Sequence, residues 1–221
     1  GLTTGKLAWV VVKAMGQTDS LKVVSGHLGG PAIAAHHQRA RFVARVCTPD
    51  EVARVEASDD PHRTLWSLFA AKEAGFKVVA KLTPGIAFSP RRFVVDARLS
   101  SVTHDEVRLW LRVMDGEDWV HAIAGQGTPE PVWAVERRPE EVTESAAVRQ
   151  LAARVAADHL GMDREGLVVE RAEDDRFRDG LGSPHVLHDG VGLDLDLSLS
   201  HDGPWVAVAL LDQSGGAADS D

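Results

Sequence analysis

The sequence predicts an α+β protein built as two similar lobes in a pseudo-twofold arrangement. Two observations predict it. Segments with the period of two residues expected of strands and segments with the 3.6-residue period of helices follow one another as β–α–α–β–β and then α–β–β. At 221 residues and 44% apolar content, the chain can also bury an ordinary core, either as one larger domain or as two small packed lobes. Residues 1–136 form the first expected lobe and residues 137–213 the second, followed by a small, polar, acidic tail over 214–221 that is expected to be disordered. No clean internal repeat accompanies this division.

Lys6–Val12 and Ser20–Val24 read as strands. Gly26-His27-Leu28-Gly29-Gly30-Pro31 interrupts the chain, and a helix is expected from about Ala32 to Val46. Thr48-Pro49-Asp50-Glu51 starts another: Thr48 suits the N-cap, Pro49 the first helical position, and Glu51 completes a capping box. A further helix spans 63–80, and Pro84–Pro90 is a loop. Phe93–Leu99 and Glu106–Met114 alternate as strands. Asp115-Gly116-Glu117-Asp118 turns into a paired strand Trp119–Ala124, giving a hairpin.

After the loop Gln126–Pro131 comes a short strand, Val132–Glu136. Glu140–Leu160 is a strong helix with Thr143 as a cap and Val148, Leu151, Val155 and Leu160 as its buried stripe. Arg171–Gly182 is charged and reads as a surface loop, Val186–Leu187 and Val191–Ser200 as strands. His201-Asp202-Gly203-Pro204 turns into the last strand, Trp205–Leu211.

Composition narrows the function. A net charge of −9, from 33 acidic and 24 basic side chains, argues against a general nucleic-acid surface. No apolar run approaches the roughly 18–20 residues of a membrane helix, and Leu7–Val12 lacks the layout of a signal peptide. The single Cys47 excludes an intramolecular disulfide and a Cys-rich zinc site, which makes a cytoplasmic setting the expectation. Gly1 in place of an initiator Met is what a processed product, a tag scar or an excised domain would show.

Three clusters could carry chemistry. In Leu65–Lys77, helical spacing puts Trp66, Ala70, Glu73 and Lys77 on one stripe and Leu65, Phe69, Lys72 and Phe76 on its neighbour. Glu73 and Lys77 could be a plain exposed i,i+4 ion pair, worth about 0.3–0.5 kcal/mol. Flanked by Trp66, Phe69 and Phe76, however, the Glu73 carboxylate is partly shielded and needs a cation or metal as partner. In Ser198–Gly203, Asp202-Gly203 is by itself a hairpin turn signal. Its functional reading puts His201 at a strand end, aimed at an anion. Along the 32–46 helix, His37, Arg41 and Arg45 recur every four residues, as a solvated face or as a ridge for an acidic partner.

Together these segments resemble the 4′-phosphopantetheinyl transferase superfamily. Arg41–Glu51 is similar to the family's RF..R..TP.E segment, and Trp66–Lys77 to its W...KEA..K signature. Gly182-Ser183-Pro184 stands where the family has GKP, and Leu197–Ala209 is similar to its SLSH strand–turn–strand. The resemblance implies a Mg²⁺-dependent transfer of 4′-phosphopantetheine from coenzyme A to a serine of an acyl or peptidyl carrier protein, with release of 3′,5′-ADP. It implies Glu73 as metal ligand or proton acceptor, Lys72 and Lys77 on phosphate oxygens, and His201 on a coenzyme A phosphate. The acidic carrier would dock on His37, Arg41 and Arg45.

The chain departs from the family pattern in three places. The metal-binding acid of the GxD strand is missing near Val24–Gly29, where His27 or Leu28 stands instead. Ser183 replaces the lysine of GKP, and Gly192–Asp196 copies GxDxE only by coincidence. The Ser-His turn also follows the Lys-Glu-Ala helix, whereas it precedes it in two-lobed members. A circular permutation predicts that Trp205–Leu211 ends near Lys6–Val12 or Leu21–Val24. Two rivals stand beside the transferase: a non-catalytic module of the same fold that binds carrier protein or coenzyme A, and an enzyme using His27, His36 or His37 with a carboxylate for acid–base work.

Overall fold

A computed structural model of the chain describes residues 7–14, 40–83, 85–127, 131–174 and 180–213, with backbone alone for 7–14. The expected strand Ser20–Val24, the Gly26–Pro31 break with His27, residues His36 and His37, and the tail 214–221 lie outside the described residues. The α+β expectation holds, as antiparallel sheets packed with helices.

Strand β1 (Leu7–Ala14) is followed by helical residues 40–46, α1 (Pro49–Glu56), α2 (Pro61–Leu82) and a 3₁₀ turn at Pro90–Arg92. Next come β2 (Phe93–Val95), β3 (Ser101–His104), β4 (Val107–Asp115), β5 (Trp119–Gln126) and β6 (Val132–Arg137). Helix α3 (Glu144–Leu160) leads to β7 (Leu167–Glu173), β8 (Leu181–His188), β9 (Val191–Gly192), β10 (Leu195–Asp202) and β11 (Trp205–Asp212). The strands form a five-stranded sheet in the order β1-β5-β4-β3-β2, a three-stranded sheet β10-β11-β6, and a second three-stranded sheet β7-β8-β9.

Local chemistry explains the helix starts. The Thr48 hydroxyl accepts from the Glu51 N–H while the Glu51 carboxylate accepts from the Thr48 N–H, the expected capping box with Pro49 in the first turn. Asp60 caps α2 by accepting from the Arg63 N–H. Thr143 caps α3, which therefore begins at Glu144 and not at Glu140. Gly161 ends α3 in the left-handed conformation. Leu160, expected in the buried stripe, is 38% exposed beside that cap.

The packing gives four layers. Helix α2 lays Leu65, Leu68, Ala71, Ala74 and Val78 on one face of the five-stranded sheet, against Phe93, Val102, Leu109, Val120, Ala122 and Ala124. Gly75 sits at the closest approach: a Cβ there would stand 2.9 Å from Val102 Cγ1. The other face of that sheet, with Ile123, Trp110, Met114 and Trp119, meets Ala207, Ala209, Leu211, Trp133, Val135 and Trp205 of the β10-β11-β6 sheet. Helix α3 covers the far side through Val148, Leu151 and Val155, against Leu197, Val206, Val208 and Leu210.

Several strand expectations change. Phe93–Leu99 breaks after Val95 because the Asp96 carboxylate accepts from the N–H groups of Ser100 and Ser101, folding a turn in which Leu99 takes φ +54°. The chain returns as β3, which the alternation did not reveal. The charged segment Arg171–Gly182 is in part strand: β7 and β8 pair antiparallel, with Arg171 opposite Pro184 and Glu173 opposite Leu181. Val191–Ser200 divides between β9 in one sheet and β10 in another. The expected lobe boundary at residue 136 falls inside β6, which pairs with β11.

Candidate functional site

Helix α2 presents its charges on different faces. Lys72 is turned inward and fully buried, which corrects its expected place on a phosphate. Its ammonium lies 2.7 Å from Glu51 Oε2 and donates to the carbonyls of Phe93 at 2.5 Å and Pro90 at 3.2 Å. The cause is its phase on the helix: Lys72 falls on the stripe of Leu65 and Leu68, which faces β2 and the core. Burial pulls its pKa down from the ordinary lysine range, and the Glu51 carboxylate opposes that shift.

Glu51 is sealed with it. Its carboxylate also accepts from the N–H groups of Thr48 at 2.8 Å and Val95 at 3.1 Å, while Arg54 beside it donates to the carbonyls of Val95 and Asp96. The cap residue of α1 is thus also the counter-ion of α2 and an acceptor for β2. Cys47 lies buried against this joint, and burial pushes its thiol up to about 11.

Glu73 and Lys77 are half-buried, four residues apart on one stripe, and neither lacks a partner. Lys81, a further turn along, meets Asp196 of β10. That contact shows which way the Glu73–Lys77–Lys81 stripe looks. On β10, Leu195, Leu197 and Leu199 pack towards α3. Asp196, Ser198 and Ser200 therefore share the opposite face, towards the five-stranded sheet, and both serines are buried. β1 lies beside β10 and β11, although it belongs to the other sheet.

The hairpin β10–β11 closes through Gly203-Pro204, with Asp202 opposite Trp205 and Gly203 at φ +55°. It lies at the α2 N-terminal end of the molecule. The Trp205 and Trp119 rings are tilted at 51° with centroids 6.0 Å apart, and Arg63 in the first turn of α2 reaches Asp115 and Gly116, just ahead of β5. His201 Nδ1 stands 2.9 Å from Glu144 Oε2 at the start of α3, leaving Nε2 as the atom for a ligand.

Arg41 and Arg45 are exposed, as a ridge requires, while His37 lies outside the described residues. Beside them, helical residues 40–46 and α1 enclose a groove of about 410 Å³ lined by Ala40, Val43, Ala44, Val52 and Val55. Among the described residues no three His, Cys, Asp or Glu side chains gather into a metal cluster. Nor is any described helix long and apolar enough to cross a membrane. Mg²⁺ is commonly held by one or two carboxylates together with substrate phosphates and water, and Glu73 is a half-buried carboxylate on α2.

Sequence reasoning missed Lys81, Asp196 and Glu144. Lys81 was within reach of it, since it continues the four-residue spacing of Glu73 and Lys77. Asp196 and Glu144 acquire their partners only when distant segments meet.

No curated protein and no solved structure matches the chain. Residues 32–124 match the family model of the 4′-phosphopantetheinyl transferase superfamily. That span includes α1, α2 with Glu73, and most of the five-stranded sheet, while the Ser-His hairpin lies beyond it. Over residues 32–124 the chain is thus similar to the 4′-phosphopantetheinyl transferase superfamily.

Proposed function

We propose that the protein transfers 4′-phosphopantetheine from coenzyme A to a serine of an acyl or peptidyl carrier protein in the cytoplasm. The observation that carries this reading is the placement of Glu73 and Lys77: half-buried, one turn apart, inside the family-matched span and on the stripe that Lys81 brings to β10. In the reaction the serine oxygen forms a bond to phosphorus, a P–O bond of the pyrophosphate breaks, and 3′,5′-ADP leaves. Such a transfer depends on positioning and charge compensation.

Glu73 takes the serine proton or would hold Mg²⁺, which would supply charge compensation for the leaving 3′,5′-ADP. Lys77 sets its ammonium against phosphate oxygens. His201, its Nδ1 fixed by Glu144, offers Nε2 to a coenzyme A phosphate. Lys72 acts only by holding α2 in place. The acidic carrier docks along Arg41 and Arg45, beside the apolar groove.

The reading extends to architecture. The two helix-on-sheet halves are two lobes in pseudo-twofold relation, with the Ser-His lobe following the Lys-Glu-Ala lobe by circular permutation. The neighbourhood of β1 with β10 and β11 supports it, and the pairing of β6 with β11 is a reason to count residues 132–137 with the second lobe.

Mass spectrometry tests the activity. With coenzyme A and Mg²⁺, a carrier protein should gain one phosphopantetheine, and Glu73→Gln should slow the transfer by about 100-fold or more with the fold retained. A specific feature favours a second reading, a non-catalytic module that binds carrier protein or coenzyme A: β1, ahead of Arg41-Phe42 and beside β10, reads LAWVVVKA, with no carboxylate. Binding without any mass gain across several carriers would establish that reading and end the first.

A further inference from the structure

Lys81 and Asp196 stand 115 residues apart in the chain, and their charged ends meet with the two side chains only 11% and 13% exposed. Burial lowers the pKa of Lys81 and the Asp196 carboxylate counters it. A largely desolvated pair of this kind is costly to break from one side and fixes the relative position of the elements that carry it.

The geometry around the pair is commensurate. Four residues of helix advance by roughly 6 Å and two residues of strand by roughly 6.6 Å. From the Lys81–Asp196 contact, the stripe Lys81–Lys77–Glu73 and the face Asp196–Ser198–Ser200 therefore climb at nearly the same rate. Both climb towards the end of the molecule where the His201 hairpin lies, as the Trp119–Trp205 and Arg63–Asp115 contacts show. A slip at this contact shifts the helix along the strand.

We infer that Lys81 and Asp196 are positioning residues, whose ion pair sets the register between the Lys-Glu-Ala helix and the Ser-His strand and so places Glu73 and Lys77 relative to His201. Asp196 thereby has a role independent of its chance likeness to a metal-binding motif. As a claim about catalysis, the inference rests on the proposed transfer. As a claim about register it does not.

The test compares Lys81→Met, Asp196→Asn and the charge swap Lys81→Asp/Asp196→Lys with the wild-type protein. In each single variant kcat should fall by about tenfold or more while KM for coenzyme A moves less than about threefold, and the swap should recover much of the loss. Hydrogen exchange supplies a readout without activity. Amides of β10 and of the last two turns of α2 should lose protection together in either single variant and regain it in the swap. If a single variant fails to fold, the neutral double variant Lys81→Gln/Asp196→Asn, which keeps a hydrogen bond, takes its place. Unchanged kcat in folded single variants, or protection lost in one element alone, overturns the inference. If the wild-type protein transfers nothing, the proposed function fails, and hydrogen exchange alone decides the register claim.

Discussion

Two buried polar regions lie on opposite faces of the five-stranded sheet, and they handle polarity in opposite ways. At the joint of α1, α2 and β2 the buried groups are charged, and each has partners: Glu51, Lys72 and the carbonyls of Pro90 and Phe93 close on one another. In the seam between the two sheets three aromatic side chains bury neutral nitrogens that have no partner among the described residues. His121 is fully buried, and among the described residues its Nδ1 and Nε2 have no hydrogen-bond partner, nor do the indole nitrogens of Trp110 and Trp205. The joint therefore holds its geometry through interactions that are expensive to break, whereas the seam holds by apolar area and carries a polar cost. Helix α2, which carries Glu73 and Lys77, is anchored to its own sheet by the joint and only indirectly backed by the seam.

The largest expected effect is at the joint. Lys72→Met keeps the length of the side chain but removes the buried cation from the Glu51 carboxylate, which keeps only the N–H groups of Thr48 and Val95 and the more distant Arg54. Breaking one side of a buried pair should cost about 3–5 kcal/mol, read by urea unfolding. Adding Glu51→Gln should return part of that loss. If the single variant unfolds at the wild-type midpoint, the joint is no firmer than the seam and the contrast fails.

At the seam the effect depends on pH. Burial pushes the His121 imidazole down to about 3 from its ordinary 6.5. Between those values the unfolded chain binds a proton that the folded protein does not. The stability from keeping His121 neutral is thus complete above pH 6.5 and falls by up to ~1.4 kcal/mol per pH unit towards pH 3. His121→Phe should leave stability at pH 7 within about 1 kcal/mol, since it removes two orphaned nitrogens for one change in shape. Subtracting its unfolding curve from the wild-type curve at pH 7, 5.5 and 4.5 should isolate the slope. Parallel curves would mean that the imidazole finds a partner in the folded protein.

The same contrast explains what could be read from the sequence. The capping box at Thr48 and Glu51, the extent of α2 and the Asp115–Asp118 hairpin were legible because each is decided within a few residues. Glu51's second role was not, because Val95 N–H lies 44 residues away. Lys72 gave a partial signal: it shares the stripe of Leu65 and Phe69, yet a lysine reads as an exposed charge unless its buried counter-ion is known. Nothing in the order of strands shows that β6 leaves its neighbour β5 for β11, since the choice of partner is made by the packing of the two sheets. Of the candidate site, the Glu73–Lys77 spacing was legible, but the side of α2 facing β10 was set by a contact outside that motif.

The smallest expected effect tests the seam most directly. Trp205 lies partly buried against Trp119, with its indole nitrogen sealed and without a partner among the described residues. Replacing it by Phe gives up apolar area, a loss of about 1 kcal/mol or more at ~25 cal/mol per Å². It also removes an orphaned donor, whose burial costs about 1–3 kcal/mol. The two terms nearly cancel, so Trp205→Phe should shift the unfolding free energy by less than about 1 kcal/mol, although a tryptophan in a core usually costs several when truncated. A loss above about 2 kcal/mol would mean that the N–H is bonded in solution, through a buried water for instance. The seam would then be satisfied like the joint, and the difference between the two faces of the sheet would be one of charge alone.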